Sequence, residues 1–236
     1  MIYIFLFSIG ASIGSFLTLL SIRRNRNENF IIGRSYCDHC KKRLRVLDNI
    51  PIISYILLKG RSSCCNKKIN PIYPIFEFIS GIGFVIGFIK FGISMKFLLF
   101  LLIFMILVLI TITDIIFMDI YDIDSILLAI LLILFRFVDQ SFSIETIKSI
   151  LFVGVVFYLI YKISGAMGSG DVLLSLSLGA VSRGIIDSIY NITYTFTIGA
   201  AVSIMLLAFK IKNKKDYIPF GPFITITILG VLIWKY

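Results

Sequence analysis

Long apolar runs separated by short polar stretches dominate the chain. Apolar segments fall at 1–22, 74–90, 95–113, 123–138, 147–163, 172–189, 190–209 and 218–235. Each approaches the roughly 20 residues that an α-helix needs to cross a bilayer core. None shows the strict alternation of a half-buried strand. The pattern predicts an all-α, polytopic membrane protein with about eight transmembrane helices. The first run has no basic segment before it, so it reads as a span rather than a cleaved signal peptide. The organisation expected is a first helix over 1–22, a polar loop over 23–73 and a membrane-embedded core over 74–236.

Composition agrees with this reading. Of the 236 residues, 58% are hydrophobic and 15% charged, against about 45–50% and 25% in soluble domains. That excludes a soluble enzyme, a disordered chain and a disulfide-stapled secreted domain.

The net charge of +10 is concentrated in one place. Residues 23–68 hold 12 of the 23 Lys and Arg, against only Glu28, Asp38 and Asp48. A second cluster is Lys210, Lys212, Lys214 and Lys215. Basic loops stay cytoplasmic in polytopic proteins. Six spans separate the two clusters, an even number, so both fall on one side. The N-terminus is then outside, and 23–73, 113–123, 164–171 and 210–217 face the cytosol. The charge orients the chain and attracts anionic membrane lipids; no nucleic-acid partner is expected.

Ionisable groups in or beside spans are expensive and mark function. Two acidic places stand out. One is the run Asp114, Asp119, Asp122 and Asp124 at the end of a span. The other is Gly165-Ala166-Met167-Gly168-Ser169-Gly170-Asp171, a glycine-rich break before an apolar run. The topology puts Asp114 and Asp171 at one level on the cytosolic side. Two carboxylates at a shared site cannot both ionise easily. One then takes a proton from water while the other donates to a peptide carbonyl, the aspartic-protease arrangement. His39 is the only histidine and lies in the basic loop, so no Ser-His or Cys-His alternative stands. Asp119 and Asp124 read as helix-start or solvated acids. Glu77, a turn inside the second span, reads as structural, paired with a basic side chain or with solvent.

These residues resemble the prepilin peptidase family, the type IV leader peptidases with the Gly-x-Gly-Asp aspartyl motif. Matching pieces run nearly end to end. They are Gly14-Ser15-Phe16-Leu17, Arg34-Ser35-Tyr36-Cys37 with Cys40, Asp48-Asn49-Ile50-Pro51-Ile52-Ile53-Ser54-Tyr55, and Tyr73-Pro74-Ile75-Phe76-Glu77. They continue with Asp114, Met118 and Asp122, then Gly168-Ser169-Gly170-Asp171, and finally Pro219-Phe220-Gly221-Pro222. The chain departs from the family at Thr18, Ile72, Tyr121 and Leu173.

The resemblance implies catalytic Asp114 and Asp171, with Gly165, Gly168, Gly170 and Asp122 as motif support. It implies removal of the short basic leader of type IV prepilins or pilin-like proteins at the cytosolic face of the cell membrane. It also implies N-methylation of the new terminus with S-adenosylmethionine, a donor for which no binding residue is identified. The acids Asp119, Asp122 and Asp124 are candidates for attracting a basic leader. Rival readings are a transporter or channel using the acids as a proton or cation path, a non-catalytic pilus assembly protein, and a presenilin-like protease. The first expects acids at several depths, whereas both motifs here sit at one face. The intact Asp pair opposes the second. The cysteine loop and the lack of a Pro-Ala-Leu stretch near the C-terminus oppose the third.

All four cysteines lie in the basic loop. Cys37-x-x-Cys40 has zinc-knuckle spacing. The family's second pair is Cys-x-x-Cys, but here Ser62 holds its first position and the sequence is Ser62-Ser63-Cys64-Cys65. Cys37, Cys40 and Cys65 align with the family's ligand positions, so a structural zinc is expected, with Cys64 or water as the fourth ligand and His39 less suited; the alternatives are a loop held by packing alone and a redox role. A cytosolic face keeps such thiols reduced.

Overall fold

The computed structural model describes residues 1–29, 35–37, 39–165, 167–213 and 216–236. Arg34, Asp38, Ala166, Lys214 and Lys215, all used in the sequence argument, lie outside them. Nine α-helices are present among the described residues, with no named strand. The chain divides into two compact units, Met1–Gly92 and Ile93–Tyr236.

The first unit is a helical pair with a folded loop. Helices α1 (Ile2–Asn25) and α3 (Ile72–Phe91) run antiparallel, with Tyr3 against Phe88 and Phe7 against Phe78. Small residues let the backbones meet. A Cβ on Gly10 would lie 2.6 Å from the Ser80 carbonyl oxygen, and one on Gly14 would lie 2.7 Å from that of Phe76. Close packing of this kind holds helices together where lipid removes the hydrophobic drive. Between them lie a 3-10 turn (Val46–Asn49) and the short helix α2 (Ile53–Leu57), neither of which hydropathy announces.

The second unit holds α4 (Met95–Phe117), α5 (Asp122–Val138), α6 (Ile144–Ser164), α7 (Ser169–Val181), α8 (Ile185–Ala208) and α9 (Gly221–Lys235). Helix α7 is central and packs on α5, α6, α8 and α9. The core is apolar: Phe100, Ile110, Leu128, Phe135, Phe157, Leu174, Leu178 and Ile224 are fully buried. Arg136 is buried too, and its guanidinium is held by the Ser182 and Ser141 carbonyls at 2.6 and 2.5 Å and by Thr146 Oγ1 at 2.9 Å.

Eight of the helices correspond to the eight expected apolar runs. Five of them, α1, α3, α4, α6 and α8, have the length and apolar character to cross a membrane. Helix α7 has 13 residues, about 20 Å at 1.5 Å per residue, shorter than the roughly 30 Å hydrocarbon core. One boundary differs from expectation. The break placed between 189 and 190 falls at Ser182-Arg183-Gly184 instead. The Asp187 carboxylate accepts a hydrogen bond from the Arg183 amide at 2.9 Å, an acidic first-turn residue fixing the start of α8. Hydropathy alone carried the apolar run through it.

Candidate active site

Both expected carboxylates belong to the second unit and both sit at helix ends. Asp114 occupies the last turn of α4, which closes with Met118 in the left-handed region (φ 54°) and its amide bonded to the Asp114 carbonyl. The side chain is 5% exposed. Its Oδ2 accepts the Gly221 amide at 2.7 Å. Gly221 opens α9, where Pro222 suits the first turn. The helix N-terminus therefore presents a backbone donor to the carboxylate.

Asp171 lies in the first turn of α7 and is 9% exposed. Its Oδ2 accepts the Gly168 amide at 3.1 Å. Its Oδ1 is buried and has no hydrogen-bond partner among the described residues. Asp114 lies within electrostatic reach of Asp171 and of Asp119.

Ile120 ties the two motifs together. A Cβ on Gly170 would lie 3.0 Å from Ile120 Cβ. A Cβ on Gly221 would lie 3.1 Å from Ile120 Cδ1 and only 2.6 Å from Asp114 Oδ2. The connection after α4 is thus clamped between the residue preceding Asp171 and the residue donating to Asp114. Gly165 ends α6 at φ +61°, where a side chain would be strained. Gly168 is different: a Cβ there would meet only Asp171 Oδ2, at 3.5 Å, so packing leaves room for a side chain.

The other acids are not equivalent. Asp119 and Asp122 are exposed, Asp122 at the start of α5, whereas Asp124 is buried in that helix's first turn. Sequence reasoning assigned no role to Gly221, although the Pro219-Phe220-Gly221-Pro222 motif was the available signal. Phe220 seats this motif among Phe157, Phe196 and Phe223.

In the first unit the loop builds two matching turns. In one, the Cys37 amide donates to the Lys42 carbonyl and the Lys41 amide to the Cys37 carbonyl, both at 2.9 Å. In the other, the Ser62 amide donates to Lys67 at 2.8 Å and the Asn66 amide to Ser62 at 2.9 Å. Ser62 therefore stands where Cys37 stands in the first turn, and Cys65 where Cys40 stands. All four sulfurs nevertheless lie within 4.8 Å of one another. Cys37 and Cys65 are 3.7 Å apart, and Cys40 and Cys64 are 3.1 Å apart. Tetrahedral zinc–thiolate bonds of about 2.3 Å place sulfurs about 3.8 Å apart, so the set fits a metal ion. Cys64, despite being adjacent to Cys65, completes it.

The thiols differ in how readily they ionise. Burial opposes ionisation of Cys37. Hydrogen bonds from the Ser62 hydroxyl and from the Cys40 and His39 backbone outweigh it, bringing the thiol down to about 6. Ser62 Oγ also favours the Cys64 thiolate, but the neighbouring Cys40, Cys37 and Cys65 sulfurs, together with desolvation, push that thiol up to about 11. His39 turns away from the sulfurs, its Nε2 lying 3.4 Å from the Lys68 carbonyl oxygen.

Glu77 is buried between α1 and α3. The sequence led us to expect a basic side chain or solvent as its partner; among the described residues no basic side chain pairs with it, and it accepts the Ile52 amide at 2.6 Å. Ile52 has φ 62° and ψ −51°, and the Ile53 amide reaches back to the Pro51 carbonyl at 2.6 Å. That is a tight three-residue turn that β-branched residues rarely adopt.

The fold and site define a polytopic, all-helical membrane protein with two buried carboxylates brought together by helix ends. The family signature of the bacterial peptidase A24 N-terminal domain matches residues 8–91. The prepilin leader peptidase/N-methyltransferase of Bacillus subtilis is 27% identical over 222 residues, covering 92% of this chain and 88% of that protein. The one from Stutzerimonas stutzeri is 27% identical, covering 87% of this chain and 73% of the relative. The Klebsiella pneumoniae enzyme is 35% identical over 88 residues, 35% of this chain, and this match spans only 39% of that protein's length. No solved structure matches. Over most of its length the chain is thus similar to prepilin leader peptidases, and residues 8–91 carry the match to the A24 N-terminal domain.

Proposed function

We propose that the protein is a membrane aspartyl endopeptidase that removes the leader peptide of type IV prepilins or pilin-like proteins at the cytosolic face of the cell membrane. The proposed protease core, 74–236, contains both carboxylates. The observation that carries the reading is the pairing of buried Asp114 and Asp171 through the Ile120 clamp, together with alignment to prepilin leader peptidases over nine-tenths of the chain.

In this mechanism the two carboxylates share one proton. The ionised one takes a proton from water, and the hydroxide equivalent attacks the scissile carbonyl carbon. The protonated one gives its proton to the carbonyl oxygen. Collapse of the tetrahedral species breaks the C–N bond, and the proton taken from water leaves with the amine. The Gly221 and Gly168 amides each hold one carboxylate by its Oδ2, which leaves the second oxygen of each for the proton transfers. The exposed Asp119 and Asp122 attract a basic leader.

The Stutzerimonas stutzeri and Bacillus subtilis relatives are prepilin leader peptidase/N-methyltransferases. We extend the reading to methylation of the new N-terminus, with S-adenosylmethionine supplying the methyl group. The cysteines Cys37, Cys40, Cys64 and Cys65 would hold a structural zinc whose closed thiolate shell leaves no position for substrate. Co-expression with a pilin-like precursor and intact-mass measurement tests both activities. Loss of the leader with a methyl shift is expected; an intact precursor would refute the peptidase reading.

A further inference from the structure

The loop between α1 and α3 carries an apolar face turned to its surroundings. Val46 and Leu47 are each 73% exposed, and Ile53, Ile56 and Leu57 are 54%, 66% and 76% exposed. In α2 the last three fall at i, i+3 and i+4 and so share one side. The other side of α2 is anchored: Tyr55 packs on Gly60, where a Cβ would lie 3.0 Å from the tyrosine hydroxyl oxygen. The 3-10 turn packs against α2, so five large aliphatic side chains are gathered within twelve residues. The turn at Ile52, pinned by Glu77, fixes how α2 leaves α3.

Charge says what covers this face. Arg43, Arg45, Lys59 and Arg61 surround the segment and are exposed or half-exposed. The single acid of the region, Asp48, is engaged by the Arg45 amide and the Ser63 hydroxyl. Both ends of the loop run into helices long and apolar enough to cross a membrane. The segment is therefore tethered beside the bilayer surface at both ends. Exposed aliphatics with a basic rim match the apolar boundary and anionic headgroups of a lipid leaflet. The basic leader of a prepilin would be repelled by the same rim.

We propose that Val46–Leu57 is an interfacial anchor. Val46, Leu47, Ile53, Ile56 and Leu57 sink into the headgroup–acyl boundary, and Arg43, Arg45, Lys59 and Arg61 contact anionic headgroups. The anchor holds the cysteine turns against the membrane, independently of the reaction the second unit performs.

The test uses the full chain in liposomes containing anionic lipid, with Trp234→Phe removing the native tryptophan. Leu57→Trp is the probe, Val46→Trp an independent second one, and Lys67→Trp the water-exposed reference. The probes should show blue-shifted emission, quenching by lipids brominated near the top of the acyl chains, and several-fold weaker acrylamide quenching than Lys67→Trp. Replacing anionic by zwitterionic lipid should weaken the bromolipid quenching. Acrylamide quenching equal to the reference overturns the proposal. So does shielding from acrylamide without bromolipid quenching, which means protein packing. Shielding that develops only when a prepilin peptide is added overturns it in favour of a substrate surface.

Discussion

The cysteine cluster and the carboxylate pair are built by opposite means. The cysteines sit on two backbone turns in a polar loop, and their spacing is written almost entirely in local sequence. The second turn has the hydrogen bonds of the first although Ser62 stands in the place of Cys37, because backbone amides and carbonyls make the turn. The carboxylates come from α4 and α7, separated in sequence by 57 positions. They meet only because helices end where Met118, Gly168 and Gly221 make them end. A local site tolerates a displaced ligand; a site made of helix ends depends on each close contact.

The largest expected effect follows from that dependence. Asp171→Asn should lower precursor cleavage by at least about 10²-fold, since an amide neither activates water nor exchanges its proton. Metal content should be unchanged. Full activity in this variant, measured in membranes, would separate Asp171 from the chemistry.

Gly221→Val comes next. Its Cβ would fall 2.6 Å from Asp114 Oδ2, so the carboxylate must shift or the start of α9 must move. A misplacement of this size costs on the order of 10²-fold in rate. The loss should appear in cleavage and not in metal content. Wild-type cleavage by Gly221→Val would mean that the Gly221 contact does not position Asp114.

The loop variants should act on the other region. Cys37→Ser should lose most of the bound metal, while Ser62→Cys should bind it more tightly, because Ser62 already stands in the ligand position of its turn. Metal retention should fall as the pH is lowered, because protons compete with the ion for the thiolates. Leader cleavage should change little in either variant. Elemental analysis of purified protein decides this; wild-type protein prepared without chelator and free of metal would remove the zinc reading.

The smallest effect expected is on stability alone. Glu77→Ala removes the acceptor of the half-buried Ile52 amide and leaves a strained turn unsupported, costing about 1–3 kcal/mol. Thermal unfolding of the first unit should report it, with Glu77→Gln milder because an amide oxygen still accepts.

What could be read from sequence divides along the same line. Apolar runs located the helices because each is long and hydropathy averages over it. The turns of Cys37 and Cys65 were visible because their spacing is local. The break at Ser182-Arg183-Gly184 was not, since a short polar interruption disappears inside a long apolar window. The fourth sulfur, Cys64, looked misplaced until the second turn brought it beside Cys40. Gly221 stayed without a role because its contact with Asp114 joins residues 107 positions apart. Glu77 was noticed as costly, but its partner is a backbone amide, which no side-chain pattern announces.

The central claim is that Asp114, rather than the family-motif acid Asp122, is the partner of Asp171. Asp114 is buried and hydrogen-bonded at the helix end, whereas Asp122 is exposed at the start of α5. Processing of a pilin-like precursor by Asp114→Asn and Asp122→Asn, measured side by side at equal membrane levels, tests this directly. Cleavage should disappear in Asp114→Asn and persist in Asp122→Asn. Cleavage that persists in Asp114→Asn and disappears in Asp122→Asn would contradict it.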